Sequence, residues 1–236
     1  LHYHEPPDIL QHKLPNLTYD KDREQTDPNQ HFDILVAADS FHVGGRITHI
    51  DILRRFQSDC ADVVVGNPPW GDPNESNAGG EDGESDAMKW CAARGKSVGG
   101  KELSQAFLHR TIDILRDGGR AGLLVSTGVF FKRYEPSRLF RRQWLQATTL
   151  EQVVNFAAVR DTFFSGPSHK ERSIAPFAAV VFEKRKPGPN NRFAYWTAKK
   201  TAFIERVQAV VLSRADVRIV RSDDPLNDDD LWKVFW

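Results

Sequence analysis

The chain of 236 residues balances 32 Lys+Arg against 32 Asp+Glu, with 40% hydrophobic residues and two cysteines. That length allows one or two domains with a real core, and zero net charge supplies no global basic field to hold nucleic acid. Cys60 and Cys91 cannot build a disulfide scaffold and fit a reducing cytoplasm; no apolar run reaches the ~20 residues of a membrane span, and no signal-peptide pattern opens the chain.

Residues 1–31, rich in Pro, His, Asn and Asp, read as an irregular connector with a short helix over 8–13. The run 32–37 reads as a strand closing on Asp39-Ser40-Phe41. The spacing of Ile47, Ile50, Leu53 and Phe56 predicts a helix over 47–56. The β-branched run 61–65 predicts a strand buried on both faces, stopping at Gly66-Asn67-Pro68-Pro69-Trp70. Residues 71–100, full of Gly, Asn, Ser, Asp and Glu, read as one long loop. A helix is predicted over 102–117, with Leu103, Phe107, Ile114 and Leu115 on one face and Gly118-Gly119 as its stop. Strands follow at 121–126, 150–156, 176–183 and 217–220, and helices at 137–145 and 200–212. The acidic runs 81–86 and 223–230 read as solvating loops.

Alternating strands and helices imply α/β layering with a mostly parallel sheet, where ligands sit beyond the carboxyl ends of strands. Asp39-Ser40-Phe41 and Asn67-Pro68-Pro69-Trp70 both fall at such ends. The second is the most specific signal in the chain. Two successive prolines fix φ near −65° and remove two N–H donors, so a carbonyl can point outward at a set angle. The Asn67 amide oxygen is a neutral acceptor, and Trp70 offers a broad π-face. Two acceptors and a stacking plate suit the exocyclic amine of a planar base. Accepting both of its hydrogens frees the nitrogen lone pair to attack an activated methyl group without a strong base.

Over roughly residues 32–184 the chain resembles the amino-group DNA methyltransferases of the adenine-N6 class. Their catalytic motif, Asn/Asp/Ser-Pro-Pro-Tyr/Phe/Trp, is matched at every position by Asn67-Pro68-Pro69-Trp70. The segment 115–125 resembles the helix-turn-strand that follows the motif, and 161–166 the segment that carries a second base-contacting aromatic. Its overall pattern resembles that of the large restriction–modification or phage-defence methylases with a Gly-Asn-Pro-Pro-Trp variant of the motif.

The resemblance implies a Rossmann-like class I methyltransferase sheet and S-adenosylmethionine as cofactor. Asn67 and Pro68 would bind the target amine, with Pro69 completing the corner. Trp70 and Phe164 would flank a base flipped out of the duplex, with Phe163 as the alternative to Phe164. Asp39, Ser40 and Phe41, with Gly66 beside them, would line the cofactor site. The implied partners are DNA and a restriction or specificity subunit, with no membrane.

Two departures accompany the likeness. No aromatic-x-Gly-x-Gly turn is present, since Gly44-Gly45 and Gly118-Gly119 do not fit it, and no acidic residue for the cofactor ribose is found. The sheet is therefore expected to be incomplete, its cofactor-binding strands lying upstream of Leu1. The sole methionine, Met88, and the apolar run 231–236 likewise read as a piece of a longer polypeptide. The expected division is a connector over 1–31, the catalytic half over 32–186, and an extension over 187–236 leading toward a recognition domain.

The basic set Lys132, Arg133, Arg138, Arg141 and Arg142 reads either as a solvated helix face or as phosphate contacts. Gly95-Lys96-Ser97 lacks the first glycine of a phosphate loop. The eight histidines lack zinc spacing, so no metal is expected. Two other readings stay open: a same-fold methylase acting on protein glutamine or RNA, and a non-catalytic fragment that binds DNA or a partner.

Overall fold

The computed structural model describes residues 58–71, 86–163, 175–207, 209–228 and Trp232. All belong to one unit, Gln57–Trp236. The expected strand at 32–37, the helices at 8–13 and 47–56, and the residues Asp39, Ser40, Phe41 and Phe164 lie outside the described residues.

Six strands form one sheet in the order β1-β2-β4-β3-β5-β6: β1 Ala61–Gly66, β2 Leu115–Ser126, β3 Thr149–Asn155, β4 Phe177–Glu183, β5 Arg192–Thr197 and β6 Val217–Arg221. The sheet is mixed. β1 runs parallel to β2 and β3 to β5, while β4 is antiparallel to both its neighbours and β6 to β5. The α/β Rossmann-like class stands, but alternation alone did not reveal that β4 turns back between β2 and β3. The strand β5 was not predicted, and β5 and β6 extend the same sheet.

The helices are α1 Asp86–Ala93, α2 Leu103–Ile114, α3 Gly128–Phe131, α4 Glu135–Ala147, α5 Arg160–Phe163, α6 Ala202–Val207 and α7 Asp223–Asn227. Three of them correct the sequence reading. Part of the expected loop 71–100 is α1, whose Met88, Trp90 and Cys91 are buried. The helix expected over 200–212 is confined to α6, and part of the acidic run 223–230 is α7.

The helix expected over 102–117 ends early, at Ile114. Its last carbonyls are taken by the turn before β1: Asp59 N–H donates to Asp113 O and Cys60 N–H to Ile114 O, both at 2.8 Å. No glycine stop is needed, and Leu115 is free to pair with Ala61. Gly118 and Gly119 lie inside β2 instead. Gly118 adopts φ +77°, and a Cβ on Gly119 would stand 2.9 Å from the Ala61 carbonyl oxygen, so the strand pair needs glycine there.

The main core lies between α4 and the sheet. Trp144, Phe140, Phe130, Phe182, Phe193, Tyr195 and Trp232 are all nearly or fully buried. Trp144 meets Phe182 edge-on at 6.1 Å, and Trp232 packs on Phe130 at 4.9 Å. By contrast β1, expected to be buried on both faces, leaves Val63 64% and Val65 79% exposed. Its one strand partner among the described residues is β2.

The buried face of α2 is only partly the expected one. Ile114 is buried, as is Leu115 beyond the helix, but Leu103 and Phe107 are half-buried, and the polar Ser104, Gln105, His109 and Arg110 are buried as well. Each polar group has a partner, as burial demands. Ser104 Oγ accepts from Ser126 N at 3.1 Å, and Gln105 joins Gly99 N at 2.8 Å to Ser137 Oγ at 3.2 Å. His109 Nε2 bonds the Ser97 carbonyl at 3.0 Å, and Arg110 pairs with Asp113.

Candidate active site

The mixed topology decides where the site lies. β1 and β2 are parallel, with Gly66 opposite Leu123, so both leave the sheet at the same edge. β4 runs the other way and begins at that edge, Phe177 opposite Ser126, and β3 ends there with Asn155 opposite Ala178. Four chain segments therefore converge beyond the carboxyl ends of β1 and β2, the position where open α/β sheets bind ligands.

Asn67 follows β1 directly and is exposed, as is Pro69; Pro68 and Trp70 are half-buried. The indole of Trp70 is fixed at two points. Its Nε1–H donates to the Leu124 carbonyl at 3.1 Å, and its ring lies on Phe177 with centroids 5.4 Å apart and planes 14° apart. Phe156 stacks on Phe177 in turn, at 5.3 Å and 25°. Phe163 stands edge-on to both Phe156 and Phe177, at 5.2 and 5.5 Å, and is half exposed. Offset-stacked and edge-on contacts of this kind add to the burial of each ring.

A cavity of about 540 Å³ opens beside Trp70. Its walls are Trp70 and Gly71 after β1, Ser126, Thr127 and Gly128 after β2, Phe131 and Lys132 beyond, and Ala175 and Pro176 ahead of β4. Thr127 N–H donates to the Pro176 carbonyl at 3.0 Å, which ties the exit of β2 to the entry of β4.

Below the corner sits a buried charge. The Glu102 side chain is 3% exposed, its Oε1 accepting from Gly71 N–H at 2.9 Å and its Oε2 lying 2.9 Å from Lys132 Nζ. Leu103 N–H donates to the Gly71 carbonyl at 2.9 Å, so Gly71 is held by both its backbone groups. A carboxylate removed from water costs several kcal/mol unless it is paired and hydrogen-bonded, and here it is both.

The structure thus brings Asn67, Pro68, Pro69, Trp70 and Gly66 to one edge and sets Phe163 on the flank of the aromatic stack. Among the described residues, the nearest atom to a Cβ added at Gly66 would be Leu123 Cδ2 at 3.6 Å, an ordinary contact. Two residues were missed. Phe177 was read only as a strand residue, although an aromatic opening a strand after Pro176 is a signal. Glu102 was read only as a helix start. Its partners, Gly71 and Lys132, are 31 and 30 residues away along the chain, so no local pattern pointed to it.

The basic set divides. Arg141 is buried and donates to the carbonyls of Val129, at 3.1 Å, and Lys132, at 2.9 Å, so it closes the end of α3 and does not face solvent. Lys132 belongs to the cavity wall, and Arg133 and Arg142 are exposed. Ser97 N–H is taken by Gln143 Oε1 at 2.9 Å and its hydroxyl by Pro136 O at 2.7 Å, so Gly95-Lys96-Ser97 is a structural strap. Burial pushes the Cys91 thiol up to about 12. Among the described residues no group of three His, Cys, Asp or Glu could hold a metal, and no helix is long and apolar enough to cross a membrane.

An open mixed sheet with an Asn-Pro-Pro-Trp corner at the shared end of two parallel strands defines a methyltransferase-type Rossmann-like protein. The chain belongs to the Eco57I restriction-modification methylase family, which matches residues 2–163.

Among solved structures it is similar to the type IIG restriction endonuclease BpuSI, at 15% identity and a TM-score of 0.47, over 75% of this chain and 21% of that one. It is also similar to the type I methyltransferase subunit of Streptococcus thermophilus, at 14% identity and 0.44, over 71% and 36%. For the EcoKI M protein the values are 19% and 0.41, over 62% and 27%. The chain therefore spans only a minor part of the length of these structures. No curated protein matches it.

Proposed function

We propose that this chain carries the catalytic corner of a restriction–modification or phage-defence enzyme that methylates the N6 amine of adenine in DNA. Membership of a restriction-modification methylase family supports DNA as the substrate. The observation that carries the reading is the exposed Asn67 at the end of β1, three residues before Trp70, which lines a cavity. A base still stacked in the duplex cannot reach such a corner, so the target is extruded.

Each residue then has a task. The Asn67 side-chain oxygen and the Pro68 carbonyl accept the two amine hydrogens and hold the nitrogen lone pair toward the methyl donor. Pro68 and Pro69 remove competing N–H donors and fix the carbonyl's angle. Trp70 supplies the stacking plate, worth roughly 1–3 kcal/mol per base, which helps offset the few kcal/mol of extrusion. Phe177 and the Leu124 carbonyl keep that plate from turning. S-adenosylmethionine, when bound, supplies an activated methyl group. Gly66, at the end of β1, is the described residue that would lie against it, and Asp39, Ser40 and Phe41 would complete its site. Phe164 would flank the base opposite Trp70. DNA and a restriction or specificity subunit are the proposed partners, and the cytoplasm the proposed location.

The test is transfer of labelled methyl groups from S-adenosylmethionine into unmethylated DNA, with RNA and protein as parallel acceptors. Label should appear in DNA as N6-methyladenine. Asn67→Ala in the intact protein should lower the rate about 10²–10³-fold, the cost of removing one aligned transition-state partner, and leave cofactor binding unchanged. Label in protein or RNA alone, or full activity in Asn67→Ala, would refute the assignment.

A further inference from the structure

We propose that Glu102 is the positioning residue of the base pocket. Its buried carboxylate locks the Trp70-Gly71 turn and the Lys132 side chain into one unit, and this fixes the spacing of two cavity walls. The inference rests on the methyl-transfer reading and names a residue that reading does not use.

Three observations carry it. First, Glu102 stands at the N-terminal boundary of α2 yet makes no side-chain cap there. Glutamate is not among the favoured N-cap residues, so helix formation does not explain its choice. Its carboxylate is spent instead on Gly71 N–H and Lys132 Nζ, both 2.9 Å away. Second, those partners come from two separate chain segments that both line the cavity. Gly71 directly follows the stacking indole, and Lys132 leads out of α3. Third, the space for the carboxylate depends on a glycine. A Cβ on Gly128 would stand 2.9 Å from Glu102 Oε2, 2.9 Å from Ser126 Oγ and 3.1 Å from Lys132 Cε. Gly128 opens α3 and has no positive φ, so neither helix formation nor backbone strain calls for glycine there.

Glu102 touches no reacting atom. It acts on the angle of Trp70 through Gly71, and misplacing a reacting group by about 1 Å can cost on the order of 10²-fold in rate.

The experiment measures kcat and KM for the intact protein with unmethylated plasmid DNA and labelled S-adenosylmethionine, alongside Tm. Glu102→Ala should lower kcat about thirtyfold or more while the KM for S-adenosylmethionine holds within about threefold. Glu102→Gln keeps an acceptor for Gly71 and loses only the ion pair, so it should lose about three- to tenfold. Lys132→Met should match Glu102→Gln, and combining the two should cost no more than either alone. Gly128→Ala, whose Cβ would press on the Glu102 carboxylate, should impair kcat like Glu102→Ala. A fall in kcat at constant KM for S-adenosylmethionine, partly restored in Glu102→Gln, separates positioning from a merely structural role.

Wild-type kcat in Glu102→Ala or in Gly128→Ala would overturn the inference. So would a loss that tracks Tm and disappears on cooling. If wild type methylates DNA and Asn67→Ala does not, such results sink this inference alone; if wild type transfers no methyl group to DNA, both readings fall.

Discussion

Under α4 the sheet is packed with Trp144, Phe140, Phe182 and Phe193, whereas neighbouring α2 buries Ser104, Gln105, His109 and Arg110. The apolar region gains free energy from every square ångström it removes from water, with little demand on direction. The polar region gains little net from each hydrogen bond, yet leaving one unmade is costly, so its geometry is narrowly fixed. Two of the polar contacts run to segments of the site, Ser104 to the end of β2 and Glu102 to Gly71, while Gln105 and His109 hold residues 97–99, away from it. The core makes the sheet stable, and the polar helix aims the loops at its edge.

This contrast can be broken most forcefully in the core. Trp144→Ala removes a fully buried ring and should destabilise the fold by about 3–5 kcal/mol. Chemical denaturation would measure that loss, and kcat of the remaining folded protein should stay near wild type. A Trp144→Ala protein with unchanged stability would contradict the assignment of the core.

The polar side should respond to pH where the core does not. Burial lowers the pKa of His109 from 6.5 to about 4, against the opposing hydrogen bond to Ser97. The folded imidazole therefore binds a proton less readily than the unfolded one. Its stability contribution is complete above about pH 6.5 and is lost as pH falls from there through about 4. The loss is on the order of 3 kcal/mol at its limit. Denaturation midpoints at several pH values in this window should show the slope, and His109→Phe should flatten it.

The smallest effect sharpens the comparison at the site itself. Trp70→Ala should cost roughly 1–3 kcal/mol of base stacking, read as a 5- to 150-fold fall in kcat/KM for DNA. Trp70→Phe, which keeps a ring on Phe177 but loses the bond to Leu124, should recover most of it. An alanine variant with unaltered kcat/KM would remove Trp70 from the pocket.

Much of this organisation was legible in residue order. The strands at β1, β3, β4 and β6 and the helix α4 fall close to their predicted positions, because each carries a local pattern of β-branched or periodic apolar residues. The helix α1 was hidden by its Gly-, Ser- and Asp-rich surroundings, although Trp90 is covered by the guanidinium groups of Arg94 and Arg110 at 4.5 and 5.3 Å. The end of α2 was misplaced because its carbonyls are satisfied by Asp59 and Cys60, far away along the chain.

The Asn67-Pro68-Pro69-Trp70 corner was determined by sequence alone, since the restriction of φ at consecutive prolines and the acceptor chemistry of asparagine are properties of the residues themselves. Which groups support that corner was decided only by tertiary structure. Phe177 reaches Trp70 because β4 turns antiparallel, and Glu102 reaches Gly71 across 31 residues because α2 begins beside the end of β1. Such contacts depend on strand order and register, which bring together side chains that no local pattern links.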